Sequence, residues 1–402
     1  MTVNINHPAA RRYWSAMLEK SAFQHSFLLN SPLLKRVKPG DSIPPDAVFV
    51  MEDTLMPQGN KVSSGNKGAG YRVDFDLEGP LFGYPVAGDN AITGGAKLSL
   101  FQDTMQINQN RFPVDTDGEF AQGLVPYEEL ERIRERLTNQ FWPHYWDERL
   151  LAKASGALGS GTWKTIDATK PTSSARDVNG SVASDGNDLR APSSGRIIYG
   201  NGRAGQSTIT TSDYATLDIL DDALMRGFRA QPNATLARTM PTLMINRRRA
   251  AVWLVDYVQA EQLGSKTNER FYDLKRAEIM GGKGNAGNVI DLAQFVYRSP
   301  LGIDVYIVPH EGLVRFSAAV TGGEKVVRSL LLGRGAMRIA LGRKTKTVGA
   351  FSWYQRELNE GNQTRVTSGV TEGIQKAAYL TTETGSTRED WAVMAIDTYG
   401  DY

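Results

Sequence analysis

At 402 residues and 41 % hydrophobic content, the chain has enough apolar surface for one large or two ordinary domains, which excludes an intrinsically disordered protein. Forty-six basic against forty-four acidic residues leave a formal charge of +2, too little for strong attraction to nucleic acid or an anionic membrane. The absence of cysteine removes disulfides, thiolate metal sites and thiol nucleophiles together.

The first ten residues, Met1 to Ala10, lack the positive patch and apolar core of a secretory signal, and no run of about 18 uninterrupted apolar residues follows anywhere. A soluble cytoplasmic product with no membrane partner is expected. Residues 1–60 read as an N-terminal arm. A short helix is predicted around Tyr13 to Phe27, then a segment punctuated by Pro32, Pro39, Pro44 and Pro45 that should lie extended on something else.

Residues 71 to 153, a charged alternating excursion running into one long helix, form the most informative stretch. Tyr71, Val73, Phe75 and Leu77 alternate with Arg72, Asp74, Asp76 and Glu78, the period of a half-buried strand. A tip rich in glycine and proline follows, and the chain returns through Leu98, Leu100, Met105 and Ile107. The parity shift between Leu100 and Met105 predicts a bulge or bend. Arms of roughly 25 to 35 Å exceed the radius of gyration of about 21 Å for a compact chain of this length. A ribbon projecting to a neighbour is therefore expected, with these eight apolar residues as inter-subunit contacts. An ordinary hairpin packed on its own domain competes with it on pattern alone.

Residues 121–154 carry the strongest helical signal. Pro126 stands at a favoured first position, Glu128, Glu129 and Glu131 complement the helix N-terminus, and Leu130, Ile133, Leu137 and Phe141 form one apolar face. Pro143 should kink or split this helix before Tyr145, Trp146 and Leu150. Residues 155–210 turn rich in Gly, Ser, Thr, Asn and Asp, the composition of a flexible insertion.

From 211 to 345, Tyr214, Leu217, Leu220, Leu224 and Phe228 mark a helix with Ser212 as candidate cap. Thr242 to Ile245 should be a strand leading into a helix with Ala250, Leu254 and Tyr257 on one face. Strands are expected at Val289 to Tyr297 and Ile303 to Val308, and a helix from about Glu324 to Leu341. Residues 346–402 alternate again through Phe351 to Leu358, Arg365 to Val370 and Trp391 to Ile396. This mixed order indicates an α+β architecture.

Chemistry finds little support. Gly282, Gly284 and Gly287 have dinucleotide-loop spacing, but a helix-like segment precedes them and a strand candidate follows, the reverse of the required context. His310-Glu311 lacks the second histidine of a zinc-binding helix, and the glycine of Asp115-Thr116-Asp117-Gly118-Glu119 falls too early for a calcium loop. No cofactor, metal site or catalytic residue is therefore expected. Arg247, Arg248 and Arg249 are read as the start of a helix, where cations are unfavourable. A solvated face, pairing with carboxylates of another subunit, and DNA-facing charge all remain open for them; the helix position favours an anionic partner.

In order along the chain, Val73 to Val86 (VDFDLEGPLFGYPV), Gly88-Asp89, Thr93-Gly94-Gly95, Gln106 to Asn110 and Asp147 resemble the major capsid proteins of tailed bacteriophages related to the podovirus N-four. Leu330 to Gly342 (LLLGRGAMRIALG), Gly361-Asn362, Gly373 to Lys376 and Trp391 to Tyr399 (WAVMAIDTY) extend the likeness over most of the chain from about 70 onward. The resemblance implies a Hong Kong 97-type fold: an extension loop over 61–120, a spine helix of the peripheral domain over 121–154, a mainly axial domain over 211–345, and peripheral or axial strands over 346–402. It implies a coat protein, not an enzyme, located in the virion capsid and assembled in the host cytoplasm. Its partners would be itself, as hexamers and pentamers of an icosahedral head, packaged double-stranded DNA bound non-specifically, and portal, scaffold or decoration proteins. The rival readings are another structural phage component, such as a tail or decoration protein, and an enzyme drawing carboxylates from Asp115, Asp117, Asp221 or Asp222.

Overall fold

Helices and strands follow one another in the mixed order expected of an α+β chain in the computed structural model, which describes residues 8–38, 41–55, 72–78, 100–118, 129–159, 163–166, 187, 189–228, 239–264, 295–316, 325–343, 349–380 and 388–400. Helix α1 spans Pro8–His25, followed by strands β1 (Leu34–Val37), β2 (Phe49–Leu55), β3 (Arg72–Glu78), β4 (Leu100–Gln106) and β5 (Asn108–Asp115). Helix α2 (Glu129–Arg136) runs through one π turn, Leu137–Phe141, into α3 (Trp142–Ser155). Next come β6 (Ile197–Tyr199), α4 (Leu217–Phe228), β7 (Leu243–Ile245), β8 (Arg248–Val255), α5 (Tyr257–Gly264), β9 (Phe295–Arg298), β10 (Ile303–Pro309) and β11 (Arg315–Phe316). The chain closes with β12 (Val326–Leu332), β13 (Met337–Arg343), β14 (Phe351–Leu358), β15 (Gln363–Lys376), β16 (Ala378–Leu380), β17 (Arg388–Asp390) and β18 (Val393–Tyr399).

Two large sheets organise the chain. The first has the order β1-β2-β13-β15-β14, with β5 also on β15. The second runs β6-β18-β12-β8-β10-β9, with β7 beside β8 and β11 beside β12. Successive residues of β8 alternate between two cores. Ala251, Trp253 and Val255 pack with Leu220 and Leu224 of α4 and Leu263 of α5, while Ala250, Val252 and Leu254 join the core that contains Leu150, Leu151 and Ala154 of α3. The second sheet is thus covered on both faces.

That double burial explains two departures from the sequence reading. The run from Arg248 to Val255 is a strand, not a helix, because a strand apolar on both faces loses the alternation that would reveal it. Likewise the helix expected over 324–341 is two strands, β12 and β13, separated at Gly333-Arg334-Gly335, where Gly335 adopts φ 67°. Leucine, alanine and methionine favour helix locally, and pairing with β18, β8, β2 and β15 overrides that preference.

Smaller corrections have equally local causes. Thr216, not Ser212, caps α4: its Oγ1 accepts a hydrogen bond from the Ile219 amide at 3.3 Å. Pro143 does not split the long helix. It occupies the first turn of α3 just after the π turn, where its missing N–H is not needed. Residues 189–210 of the supposed flexible insertion are folded, with β6 paired parallel to β18 from Ile197–Ala395 to Tyr199–Asp397. The glycine loop at Gly282, Gly284 and Gly287 lies outside the described residues.

The described N-terminal part packs on its own chain. Leu18 and Ala22 of α1 are buried, Phe23 stacks on Trp146 at 4.4 Å between ring centroids, and β1 pairs with β2. The segment predicted to lie on something else therefore has its own sheet to lie on.

Candidate assembly surface

The ribbon of β3 and β4 pairs without interruption from Arg72–Gln106 to Glu78–Leu100. Directly paired residues share a face. One face accordingly carries Val73, Phe75, Leu77, Phe101, Asp103 and Met105, and the other carries Arg72, Asp74, Asp76, Gln102 and Thr104. No bulge is needed: the inward position between Phe101 and Met105 is filled by Asp103, which produces the break in apolar parity seen in the sequence.

The apolar face is turned onto the body of the same chain. Val73, Phe75 and Leu77 are 4, 5 and 0 % exposed, and Met105 and Ile107 are 2 % exposed each. The expectation that these five residues wait for a neighbour is overturned; they belong to the principal core, with Met51, Ile339 and Ile374. Tyr71 and Leu98 lie outside the described residues, and Leu100 stands at the register of Glu78. What the ribbon leaves to solvent is its charged row, Arg72, Asp74 and Asp76.

Buried polar groups hold the ribbon in place. Asp103 accepts hydrogen bonds from Arg190 Nη1 and Nη2 at 2.6 and 3.0 Å, Arg388 Nη1 at 3.1 Å and the Ala378 amide at 3.1 Å. With the Thr104 amide at 2.9 Å, five donors around one carboxylate offset the cost of removing it from water. Arg338 lies over the Phe75 ring, 4.9 Å from its centroid, and donates to Glu52 at 2.9 Å. Burial pushes the Glu52 carboxyl up although Arg338 opposes the shift. A Cβ at Gly373 would stand 2.1 Å from the Gln106 carbonyl oxygen, so glycine lets the end of β4 approach β15. Deeper in, Lys376 pairs with Asp390 at 2.9 Å, and Arg328 grips Asp397 with two 2.7 Å bonds. The sequence reading missed all of these groups; only Asp103, by breaking parity, left a signal.

A second anchoring point lies on α3. Asp147 accepts from Ser26 Oγ at 2.7 Å, the Phe27 amide at 3.0 Å and the Leu28 amide at 3.2 Å, fixing the turn after α1. Burial outweighs those bonds and raises its carboxyl to about 6. The adjoining cleft of about 380 Å³ is lined by His25, His144 and His310 beside Asp147 and Glu148. Burial holds the His310 imidazole down to about 4.

The three arginines sit on a hairpin, not a helix. Asn246 and Arg247, at φ 50° and 63°, form the turn between β7 and β8. Arg248 is exposed and 3.7 Å from Asp304, and Arg249 is exposed at the register of Met244 and Ile303. The inference drawn from cations at a helix start therefore falls with the helix.

The carboxylates of the enzyme reading do not converge. Asp115 receives Arg365 Nε and Nη2 at 2.5 and 2.6 Å, a pairing that lowers its carboxyl. The Asp117 amide donates to Glu129, while Asp221 accepts from Tyr297 and Ser299 across to β9. Asp222 is exposed on α4. Among the described residues no group of His, Asp and Glu has the arrangement of a metal site, and no helix is long and apolar enough to cross a membrane.

The chain has the Hong Kong 97-like capsid fold, shown by its likeness to solved phage capsids. The capsid of Ralstonia phage GP4 matches with a TM-score of 0.71 and 21 % identity over 100 % of this chain and 98 % of that one. The cyanophage Pam1 capsid matches at 0.58 with 14 % identity, covering 92 % and 91 %, and the head of Helicobacter pylori bacteriophage KHP40 at 0.54 with 14 % identity, covering 92 % and 89 %. Comparison with curated proteins gives no match. The family profile described as phage capsid protein matches residues 3–401, and the chain belongs to that family. Its role is structural, in the capsid of the phage head, and neither rival reading is favoured by these likenesses.

Proposed function

We propose that this chain is the repeated coat subunit that closes an icosahedral bacteriophage head through hexamers and pentamers around double-stranded DNA. The family match carries the reading, because it spans residue 3 to residue 401 and so nearly the whole chain. The anchored ribbon, the long helix and the two sheets support the assignment of 61–120 as extension loop, 121–154 as spine helix and 211–345 as mainly axial domain. Weak contacts repeated around a closed lattice persist together where one alone would not. A formal charge of +2 suits crowded identical copies, which would repel one another if strongly charged. Portal, scaffold and decoration proteins are the expected partners, with assembly in the host cytoplasm. Overexpression alone and with neighbouring gene products, followed by electron microscopy, tests the reading. Closed shells support it; tubes, small rings or a monomer that turns over substrate overturn it.

A further inference from the structure

The outward face of β5, β15 and β14 is unusual for an exposed sheet. Arg356 stands directly opposite Arg365, and like charges at paired positions are destabilising unless something anionic lies across them. Asp115 accounts for Arg365 alone. Arg111 and Arg356 converge with Tyr354, Gln109 and Thr367 on a hollow of about 430 Å³, and among the described residues neither arginine has an ion-pair partner. Tyr354 is 45 % exposed beside them.

The same chain exposes two carboxylates beside Arg72 on one strand, a surface of net opposite sign. Asp74 and Asp76 occupy the solvent row of the ribbon, about 6.6 Å apart along the strand, again with no ion-pair partner among the described residues. The opposite face of that ribbon is locked into its own core, so this acidic row cannot turn inward. Two unpaired patches of opposite charge on one chain describe a heterologous contact, the kind that generates rings when the rotation closes. DNA would satisfy the arginines and leave the two aspartates unexplained; a second copy satisfies both.

We propose that Asp74 and Asp76 of one copy dock on the Arg111 and Arg356 face of the next. This rests on the coat reading and names the surfaces that meet. All four side chains lie at the surface, so their replacement spares the core. The test compares Arg111→Glu with Arg356→Glu, Asp74→Arg with Asp76→Arg, and all four together, by shell yield in electron microscopy and by thermal melting of the subunit. Each pair is expected to reduce closed shells about tenfold, with the fourfold exchange restoring them. Should the exchange itself lower melting, Arg111→Gln with Arg356→Gln supplies the second measurement: assembly of that variant should lose the salt sensitivity of the wild type. Wild-type yield from both charge-reversed pairs overturns this contact and leaves the coat reading standing. Normal shells from the arginine variant that retain less DNA also overturn it, and assign the face to nucleic acid. Wild-type protein that never forms shells, with or without its partner proteins, overturns the coat reading and this contact with it.

Discussion

Phe75 and Asp103 are paired on the inward face of the ribbon, one giving apolar area and the other a carboxylate bonded by two arginines. Phe75→Ala is expected to cost the isolated subunit about 3 to 5 kcal/mol in denaturant unfolding, the range for emptying a core site. A ribbon free of its own body would lose under about 0.5 kcal/mol. Asp103→Ala should cost about 3 kcal/mol, because Arg190 would remain largely buried without its counter-charge. Two groups of the α3 cleft give opposite pH signatures. Asp147 titrates at about 6 when folded, above the ordinary 3.8, so its contribution is full below pH 4 and is lost as pH rises through 6. His310 titrates at about 4 when folded, below the ordinary 6.5, so its contribution is present above pH 6.5 and is lost as pH falls toward 4. Asp147→Asn should therefore remove a stabilisation that grows on acidification, on the order of 3 kcal/mol between pH 7.5 and 4. His310→Gln should remove one that shrinks. Urea unfolding of each variant across that range checks both, and parallel pH profiles for variants and wild type would refute them.

Among the elements, the ribbon depends on close approach as much as on its own pairing. Gly373→Val would drive a side chain into the Gln106 carbonyl and lift the end of β4 from β15. Amide hydrogen exchange should then accelerate in Val73 to Leu77 while the β12–β18 amides keep their protection. Equal acceleration in both places would mean that the ribbon is not a separate unit. The continuous helical register from Glu129 to Ser155 has a comparable dependence on the π turn. Its extra residue sets the face that carries Trp142 and Trp146 onto Phe351, at 5.5 and 5.4 Å between ring centroids. The sequence showed the periodicity of this helix and the alternation of β14 and the first half of β15, since each buries one stripe or face differently from the other. It hid β8 and β12, which are covered on both sides.

For the whole molecule, α1 is part of the body. Trp14, Leu18, Ala22 and Phe23 pack against the principal core, and Asp147 ties the following turn to α3. Removal of residues 1–25 should leave a subunit that binds a hydrophobic dye and sediments as aggregate; a monodisperse truncated subunit with native melting would contradict this integration. By itself the sequence determined the α+β class, the ribbon with one apolar and one charged side, the long helix, and the capsid family, because each is written in local period or in residues adjacent along the chain. Only the tertiary structure decided where the ribbon's apolar face goes. That choice depends on Asp103 meeting Arg190 and Arg388, and on Arg338 reaching across Phe75, residues separated by up to 285 positions. Burial of a face is a property of what lies opposite it, and no local period records the opposite side.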